Sequence, residues 1–364
     1  MTPNILRKEE KAIFALRELY ETHGYKKYKM SKFEEYDLYA DNRSFLAGGS
    51  IITFNDTHGK LLALKPDVTL SIVKNAADGE RIKEYYNENV YRAVDGEYRE
   101  IMQVGLECIG DIDLYSTCEV VLLAERSLSC ISDSYILDLS NAAFVGGLLE
   151  NRSIPYDVRE AILTCVAGKN AHDLARICRE NGLDSDLSEK LTVVSETYGR
   201  AEEVIPRLRP MAENDTMSGA LDELEAICRF MNAIGEGEHI RLDFSLINDM
   251  SYYDGMIFRG YIDGVSSGVL SGGRYDRLLC KMGRQDGAIG FALYMNTLDL
   301  YFDDKSEYDV DILITYDAST DPAALTRTVK MLTGGGRSVR VQKNDDGRLR
   351  YREHFHYGEG GLEL

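Results

Sequence analysis

The sequence lacks the features of membrane, secreted and zinc-binding proteins. No apolar run approaches the roughly eighteen residues that a membrane-spanning helix needs, and the longest run, Ala142–Leu149, is broken by two glycines. The N-terminal segment has the spacing of an amphipathic helix and no signal-peptide core. The seven cysteines form no CxxC pair, and the six histidines do not cluster near them. We therefore expect a cytoplasmic protein with reduced thiols, no membrane contact and no metal.

Positive charge is also scarce. Lysine and arginine together number 42 against 61 aspartates and glutamates, which gives a net charge of −19. A protein that grips nucleic acid places cationic side chains against the phosphates, so this balance disfavours RNA and favours small-molecule or protein partners. The sequence also contains no phosphate-binding P-loop motif. We expect no cofactor and no tRNA partner.

The 364 residues are too many for one average domain, and the hydrophobic pattern changes along the chain. Residues 1–150 mix strands and helices, 151–236 have only helical periodicity, and strands return in 237–304. Residues 305–364 read as a βαβ-like unit with a glycine- and charge-rich tail, which we expect to be too small to form a complete domain. This pattern predicts an α+β core interrupted by a helical insertion and followed by a small α/β extension.

One strand-like stretch, which ends at Gly110, alternates in an informative way. The residues at even positions are apolar, namely Met102, Val104, Leu106 and Cys108. The residues at odd positions are an amide and a carboxylate on either side of a glycine, namely Gln103, Gly105 and Glu107. Successive side chains of a strand point to opposite faces of the sheet. The polar face is either solvated or the wall of a pocket for a small molecule with an ammonium group.

A second candidate lies before the helix that begins near Thr69. Asp67 follows Pro66 at the position of a helix cap. Its carboxylate therefore either caps this helix or accepts a hydrogen bond from a ligand. The pattern of the sequence leaves both roles open.

Six motifs in order carry a resemblance to a known family. They are LKPDVT, the strand that bears Arg92, YREIMQVGLECIG, SYYDGMIF, SGGRYD and AIGFA. This series resembles the catalytic core of histidyl-tRNA synthetase over about residues 5 to 300. The resemblance implies a class II aminoacyl-tRNA synthetase fold, which is an antiparallel sheet flanked by helices.

The resemblance also implies roles for individual residues. Asp67 and Thr69 match the loop that contacts bound histidine, and Arg92 matches the arginine near the ATP and aminoacyl phosphates. Gln103 and Glu107 match the amide and carboxylate that hold histidine. Tyr252 and Tyr253 match the tyrosine pair that lines the imidazole pocket. The glycine–arginine turn is matched by Gly272, Gly273 and Arg274.

Elementary chemistry agrees with most of these roles. Carboxylates accept strong charge-assisted hydrogen bonds from an ammonium group, which suits Asp67 and Glu107. Tyr252 and Tyr253 offer flat rings and hydroxyls to an imidazole, although ordinary strand packing would also explain the pair. Arg274 binds phosphate or has only a structural role.

Three positions depart from the synthetase pattern. Asn248, followed by Asp249, occupies the place of a histidine-specific arginine, and Asn296 and Thr297 replace a Glu-Arg pair whose arginine holds ATP phosphates. Forming an aminoacyl adenylate requires cations opposite the negative charge that develops at the α-phosphate. We expect the loss of two cations nearly to abolish this reaction. Residues 305–364 further resemble a truncated anticodon-binding domain.

A synthetase fold with its amino-acid pocket kept and its phosphate-binding arginines lost is similar to the ATP phosphoribosyltransferase regulatory subunits, the non-catalytic paralogues of histidyl-tRNA synthetase. Membership would imply histidine binding and feedback inhibition in the first step of histidine biosynthesis. The implied partners are the short-form catalytic subunit in a hetero-octamer of four and four chains, and a second copy that forms a homodimer through the core. The alternatives are a histidyl-tRNA synthetase, or a synthetase-like domain that activates another amino acid or serves another enzyme.

Overall fold

The structure, a computed structural model, falls into two compact units. It describes residues 6–43, 46, 51–76, 79, 81–94, 96–150, 152–247, 252–302, 307–358 and 361–363. The units are Met1–Phe302 and Asp303–Leu364. The first contains every described residue of the candidate pocket.

The described elements follow one another along the chain. The helices are α1 (Lys8–Thr22), α2 (Tyr36–Ala40), α3 (Thr69–Asn75), α4 (Leu114–Ser129), α5 (Ala142–Leu149), α6 (Tyr156–Ala167), α7 (Ala171–Glu180), α8 (Ser185–Glu196), α9 (Ala201–Leu208), α10 (Asp215–Ala233), α11 (Asp276–Lys281), α12 (Asp299–Phe302) and α13 (Pro322–Gly334). The strands are β1 (Lys26–Lys27), β2 (Phe33–Glu35), β3 (Thr53–Asn55), β4 (Leu61–Leu64), β5 (Ile82–Val94), β6 (Glu97–Gly110), β7 (Tyr135–Asn141), β8 (Tyr198–Gly199), β9 (Ile240–Asp243), β10 (Met256–Ile262), β11 (Leu270–Arg274), β12 (Gly287–Tyr294), β13 (Val310–Tyr316), β14 (Val339–Gln342), β15 (Tyr351–Gly358) and β16 (Gly361–Glu363).

The main sheet is mixed, with an antiparallel centre. Its order is β1-β5-β6-β12-β11-β10-β7-β9-β8. Neighbours in the central run β5-β6-β12-β11-β10-β7 all pair antiparallel, as the resemblance predicts. β1 pairs with β5 in parallel, and so does β7 with β9. A parallel pair needs a long crossover, and helices α5 to α10 supply it between β7 and β9.

The helices between β7 and β9 share one hydrophobic core with the sheet. Buried side chains of this core lie on β6, β7 and α10, including Leu106, Leu139 and Leu224. Side chains of Asn170, Asp184 and other cap residues accept hydrogen bonds from the first-turn N–H groups of α7, α8 and α10. None of the helices within the described ranges is both long and apolar enough to cross a membrane.

A second core cluster lies on the other face of the sheet. It joins α3 and the small sheet β2-β4-β3 to side chains of β5, β6 and α11, including Leu70, Ala63, Tyr86, Ile109 and Leu278. The stretches Ser50–Phe54 and Lys60–Leu64, joined by a polar turn, predict a β-hairpin, and Thr53 does pair antiparallel with Ala63. Since both faces of β6 are covered from Gln103 onward, its polar face is buried and not solvated.

Residues 307–358 and 361–363 form a sheet of their own in the order β14-β13-β15-β16. β14, β13 and β15 run parallel, and β16 turns back against β15. The segment is one of the two compact units of the chain. The tail adds β15 and β16 to the sheet, and Phe355 and Tyr357 complete a core with Ile312, Ile314 and Leu325.

The core that helices α5 to α10 share with the sheet can be tested by mutation. Replacing the fully buried Leu224 with alanine should lower the free energy of unfolding by about 2–5 kcal/mol, because it removes apolar contact and leaves a cavity. Urea unfolding followed at sheet and helix probes measures this loss. The neighbouring Asp222→Ala changes only an exposed pair with Arg209 and should cost less than about 1 kcal/mol. A helical segment that unfolds alone, with an unchanged sheet transition, would contradict the shared core.

Candidate functional site

The centre of the site is the carboxylate of Glu107 on β6, whose side chain is only 2% exposed. Three hydroxyls surround it. Thr69 donates to Oε1 at 2.7 Å, Tyr275 donates to Oε2 at 2.5 Å, and the hydroxyl of Tyr86 lies 3.4 Å from Oε1. These donors come from α3, from the end of β11 and from β5, so the carboxylate ties three segments together.

Glycines make room for this carboxylate. Glu107 lies beside Gly290 of β12, which in turn lies beside Gly273 of β11. A Cβ atom on Gly290 would stand 1.8 Å from Oε2 of Glu107, and one on Gly273 would stand 2.7 Å from the ring of Tyr253. A side chain at either position would therefore fill the space that the pocket residues occupy.

Burial sets the protonation of the site. It raises the pKa of Glu107 to about 8, although the hydroxyls of Tyr275, Thr69 and Tyr86 oppose the shift; the nearby carboxylate of Asp67 adds to it. At neutral pH the carboxyl group therefore holds a proton in most molecules. A cationic group brought close to it would favour the ionised form.

The loop before α3 is fixed by its own backbone and by Arg92. Oδ1 of Asp67 accepts a hydrogen bond from the N–H of Leu70 at 2.9 Å, so Asp67 caps the first turn of the helix. Nη2 of Arg92 lies 3.7 Å from Oδ2 of Asp67, and its Nε donates to the carbonyl of Pro66 at 2.7 Å. Burial raises the pKa of Asp67, and Arg92 opposes that shift. Capping leaves Oδ2 facing Arg92, so Asp67 serves the helix and borders the pocket at once.

Aromatic rings form one wall of the pocket. The rings of Tyr252 and Tyr253 meet edge to face with centroids 4.7 Å apart, and Tyr252 lies 5.7 Å from Tyr275. Burial, followed by the charge of Asp67, holds the pKa of Tyr252 well above its usual value. Tyr252 thus stays neutral and lies near the carboxyl groups of Asp67 and Glu107.

Gln103 lies at the other end of the same face of β6 and is 3% exposed. Its cross-strand neighbours are Glu88 on β5 and Tyr294 on β12. Glu88 forms an ion pair with Lys65, whose side chain is 1% exposed. A buried cation and a buried amide therefore border this end of the site, while carboxyl groups dominate the end at Glu107.

The glycine–arginine turn does not act as one unit. Gly273 faces the pocket, whereas Gly272 packs under Phe258 and Phe291 on the opposite face. Arg274 follows the alternation of the strand and also lies on that opposite face. Its Nε donates to Asp276 at 2.8 Å and its Nη1 to the carbonyl of Ile112 at 3.5 Å. Both contacts are structural and direct Arg274 away from Glu107.

The positions that depart from the synthetase pattern are neutral where they are described. Asn248 and Asp249 lie outside the described residues. The hydroxyl of Thr297 donates to the carbonyl of Tyr294 at 2.6 Å, and Oδ1 of Asn296 accepts from the N–H of Met102 at 2.6 Å. Thr297 thus satisfies a backbone carbonyl at the end of β12, Asn296 satisfies a backbone N–H of β6, and neither side chain is charged.

Sequence reasoning missed four residues of the pocket. Lys65 lies in the motif LKPDVT, two residues before Asp67, and Tyr275 lies in SGGRYD, directly after Arg274. Their place in these motifs is what could have identified them from the sequence. Tyr86 and Glu88 reach the site because β5 pairs in register with β6, which the sequence does not specify. Tyr86 and Glu88 can therefore be assigned to the site only when the pairing of β5 with β6 is known.

The assembled groups suit a small cationic organic molecule. Two carboxyl groups, three hydroxyls and a wall of rings converge between α3 and β11. Within the described ranges, no three His, Cys, Asp or Glu side chains are placed so that they could hold a metal ion. An amino acid with an ammonium group and a flat side chain fits this set of partners.

The raised pKa of Glu107 makes a prediction for stability. Between about pH 4.5 and 8 the folded chain keeps a proton that the unfolded chain loses, so stability from this group falls as pH rises, by up to about 1.4 kcal/mol per pH unit. Glu107→Gln cannot titrate and should lack this fall in urea unfolding at pH 5 to 8. Glu100→Gln on the same strand is the control, because hydrogen bonds from Tyr91 and Asn89 lower the pKa of Glu100. Parallel profiles for Glu107→Gln and the wild-type chain would contradict the assignment.

Known proteins share this architecture. A solved structure described as an ATP phosphoribosyltransferase regulatory subunit/histidyl-tRNA synthetase from Bacillus halodurans aligns with a TM-score of 0.75 at 21% identity, over 96% of this chain and 93% of that one. A chain of the ATP phosphoribosyl transferase complex from Thermotoga maritima aligns with a TM-score of 0.64 at 19% identity, over 79% of this chain and 97% of that one. At these identities the likeness shows the fold.

Sequence similarity extends over most of the chain. The ATP phosphoribosyltransferase regulatory subunit of Clostridium kluyveri is 29% identical over 336 residues, which are 88% of this chain and 85% of that relative. The family model for histidyl-tRNA synthetase matches residues 1–298, which include every described residue of the pocket. The chain therefore belongs to the histidyl-tRNA synthetase family.

Proposed function

We propose that this chain is a non-catalytic, histidine-binding regulatory subunit of ATP phosphoribosyltransferase, required by a short catalytic subunit in the first step of histidine biosynthesis. The observation that carries the proposal is the buried carboxyl group of Glu107 among the hydroxyls of Thr69, Tyr86 and Tyr275. The name of the relative from Clostridium kluyveri and the complex from Thermotoga maritima support it.

Each part of histidine has a partner in the proposed pocket. The ammonium group binds Glu107, which gives up its proton as the cation arrives, with Asp67 as a further acceptor. The imidazole packs against Tyr252 and Tyr253. Gln103 and Arg92 are the remaining polar partners, and they would bind the carboxylate of histidine.

The lack of catalysis follows from charge. Attack of a carboxylate on the α-phosphate of ATP places new negative charge that cations must stabilise, and losing one such group costs about 3–4 kcal/mol of the transition-state energy. The sequence has Asn248 and Thr297 where the synthetase has arginines, and the hydroxyl of Thr297 is used by a backbone carbonyl. Histidine would thus be held without being activated.

Regulation then requires an assembly with two states. Histidine can shift the catalytic partner only if the pocket binds it more tightly in the inhibited state than in the active one. The proposed assembly pairs regulatory chains through the synthetase-like core and joins four of them to four catalytic chains. The acidic chain, with its net charge of −19, would steer toward basic patches on such a partner.

Histidine binding is tested by thermal unfolding of the free chain and of its complex. Histidine at a hundredfold excess over its Kd should stabilise the wild-type chain by about 2.7 kcal/mol, which raises the Tm by several degrees. Glu107→Ala should lose this shift, because it removes the acceptor of the ammonium group. Glu100→Ala, on the same strand but exposed, should keep it. A wild-type Tm that histidine leaves unchanged in both samples would overturn the pocket assignment.

The regulatory role is tested by mixing. Phosphoribosyl-ATP should form only when the chain is combined with a short catalytic subunit, and histidine should inhibit the mixture. In a Glu107→Gln mixture that still forms phosphoribosyl-ATP, histidine should inhibit more weakly, because the acceptor of the ammonium group loses its charge. Histidine-dependent ATP–pyrophosphate exchange by the chain alone would instead identify a synthetase.

A further inference from the structure

The loop that carries the pocket tyrosines is held at its C-terminal end by two neighbouring residues, Asp254 and Gly255. The N–H of Asp254 donates to the carbonyl of Arg274 at 3.0 Å, and the Asp254 carboxylate accepts from the N–H groups of Asp276 and Arg277 at 3.2 and 2.7 Å. These contacts cap α11, which begins directly after Tyr275. Since Tyr275 donates to Glu107, this end of the loop is tied to the pocket.

The second anchor, Gly255, ties the same end of the loop to the end of β7. The carbonyl of Gly255 accepts a hydrogen bond from the N–H of Ala142 at 2.8 Å. The preceding residue, Asn141, is buried and lies opposite Met256 in the sheet. Its Oδ1 caps α5 by accepting from the N–H of Ala143 at 3.0 Å. A movement of residues 252–255 would therefore displace the junction of β7 and α5.

One partly buried hydrogen bond connects this junction to the long helix α10. Nδ2 of Asn141 donates to Oε2 of Glu223 at 2.7 Å. Burial raises the pKa of Glu223, and the charge of Arg274 on β11 opposes this most strongly. Arg274 is also the residue whose carbonyl holds Asp254. Glu223 thus faces both anchors of the tyrosine loop, through a hydrogen bond to Asn141 and through charge to Arg274.

We propose that Glu223 is a positioning residue that couples the tyrosine loop, residues 252–255, to α10. Ligand binding in the pocket is thereby transmitted to the helices between β7 and β9. The inference rests on the proposed histidine binding, whose effect on the helical segment it specifies. Asn141 and Glu223 hold the loop on the side of α10, while the ligand contacts its tyrosines in the pocket. A displacement of Tyr252 and Tyr253 is transmitted to α10 through the hydrogen bond between Asn141 and Glu223.

The test compares three variants of the full chain, each with and without histidine. Glu223→Ala removes the acceptor of Asn141 and the charge facing Arg274, whereas Glu223→Gln keeps an acceptor at the same distance. Asp222→Ala is the matched control, because Asp222 is the preceding residue of α10 and pairs with the exposed Arg209. Calorimetry gives histidine affinity, and amide hydrogen exchange gives the protection of each segment.

In the wild-type chain, histidine should slow exchange around Glu107, in residues 252–255 and in α10. Glu223→Ala should bind histidine about tenfold more weakly, in the usual range for coupled sites, and should lose the protection of α10 while that around Glu107 remains. Glu223→Gln should recover most of both, and Asp222→Ala should behave as wild type. Unchanged protection of α10 in a folded Glu223→Ala variant would overturn the coupling. Absence of histidine binding by the wild-type chain would overturn the proposed function itself, and the coupling with it.

Discussion

A carboxyl group buried among hydroxyls is the constraint on which this site depends. Glu107 lies in a row with Gly290 and Gly273, and a side chain at either glycine would fill the space beside the carboxyl group. Desolvation of such a group is expensive unless its hydrogen bonds are met, and Thr69 and Tyr275 meet them from separate segments. In the proposed function, a cationic ligand adds the charge that favours the ionised form of this group.

The fold supports this arrangement by burying both faces of β6. Leu106 and its same-face neighbours join the core shared with α10, while Ile109 and the opposite face join the cluster under α3. A strand held on both sides cannot shift its register without moving every side chain to the wrong face. The position of Glu107 relative to Tyr86 and Gly290 is therefore fixed by packing that lies outside the pocket.

The sequence predicts what is local, and it misses what depends on pairing. The alternation around Glu107, the hairpin that ends at Leu64 and the helical segment after β7 follow from periodicity alone. β15 and β16 were missed, because charged residues such as Arg352 mask a strand whose apolar face is short. Tyr86 enters the site through strand register, and Arg274 leaves it through the alternation of β11; neither fact can be read without knowing which strands are neighbours.

In the proposed function, the charges of the site separate binding from chemistry. The carboxyl group of Glu107 would accept from an ammonium group, whereas the uncharged Thr297 donates its hydroxyl to a backbone carbonyl. Binding energy that is not used to stabilise a transition state remains available to shift a conformational equilibrium. For that energy to reach a partner, the ligand must change a segment that extends beyond the pocket. In the proposed coupling, the loop of Tyr252 and Tyr253 meets this need, because Asp254 at its C-terminal end is bonded to α11, and the adjacent Gly255 is bonded to the end of β7, where Asn141 contacts α10.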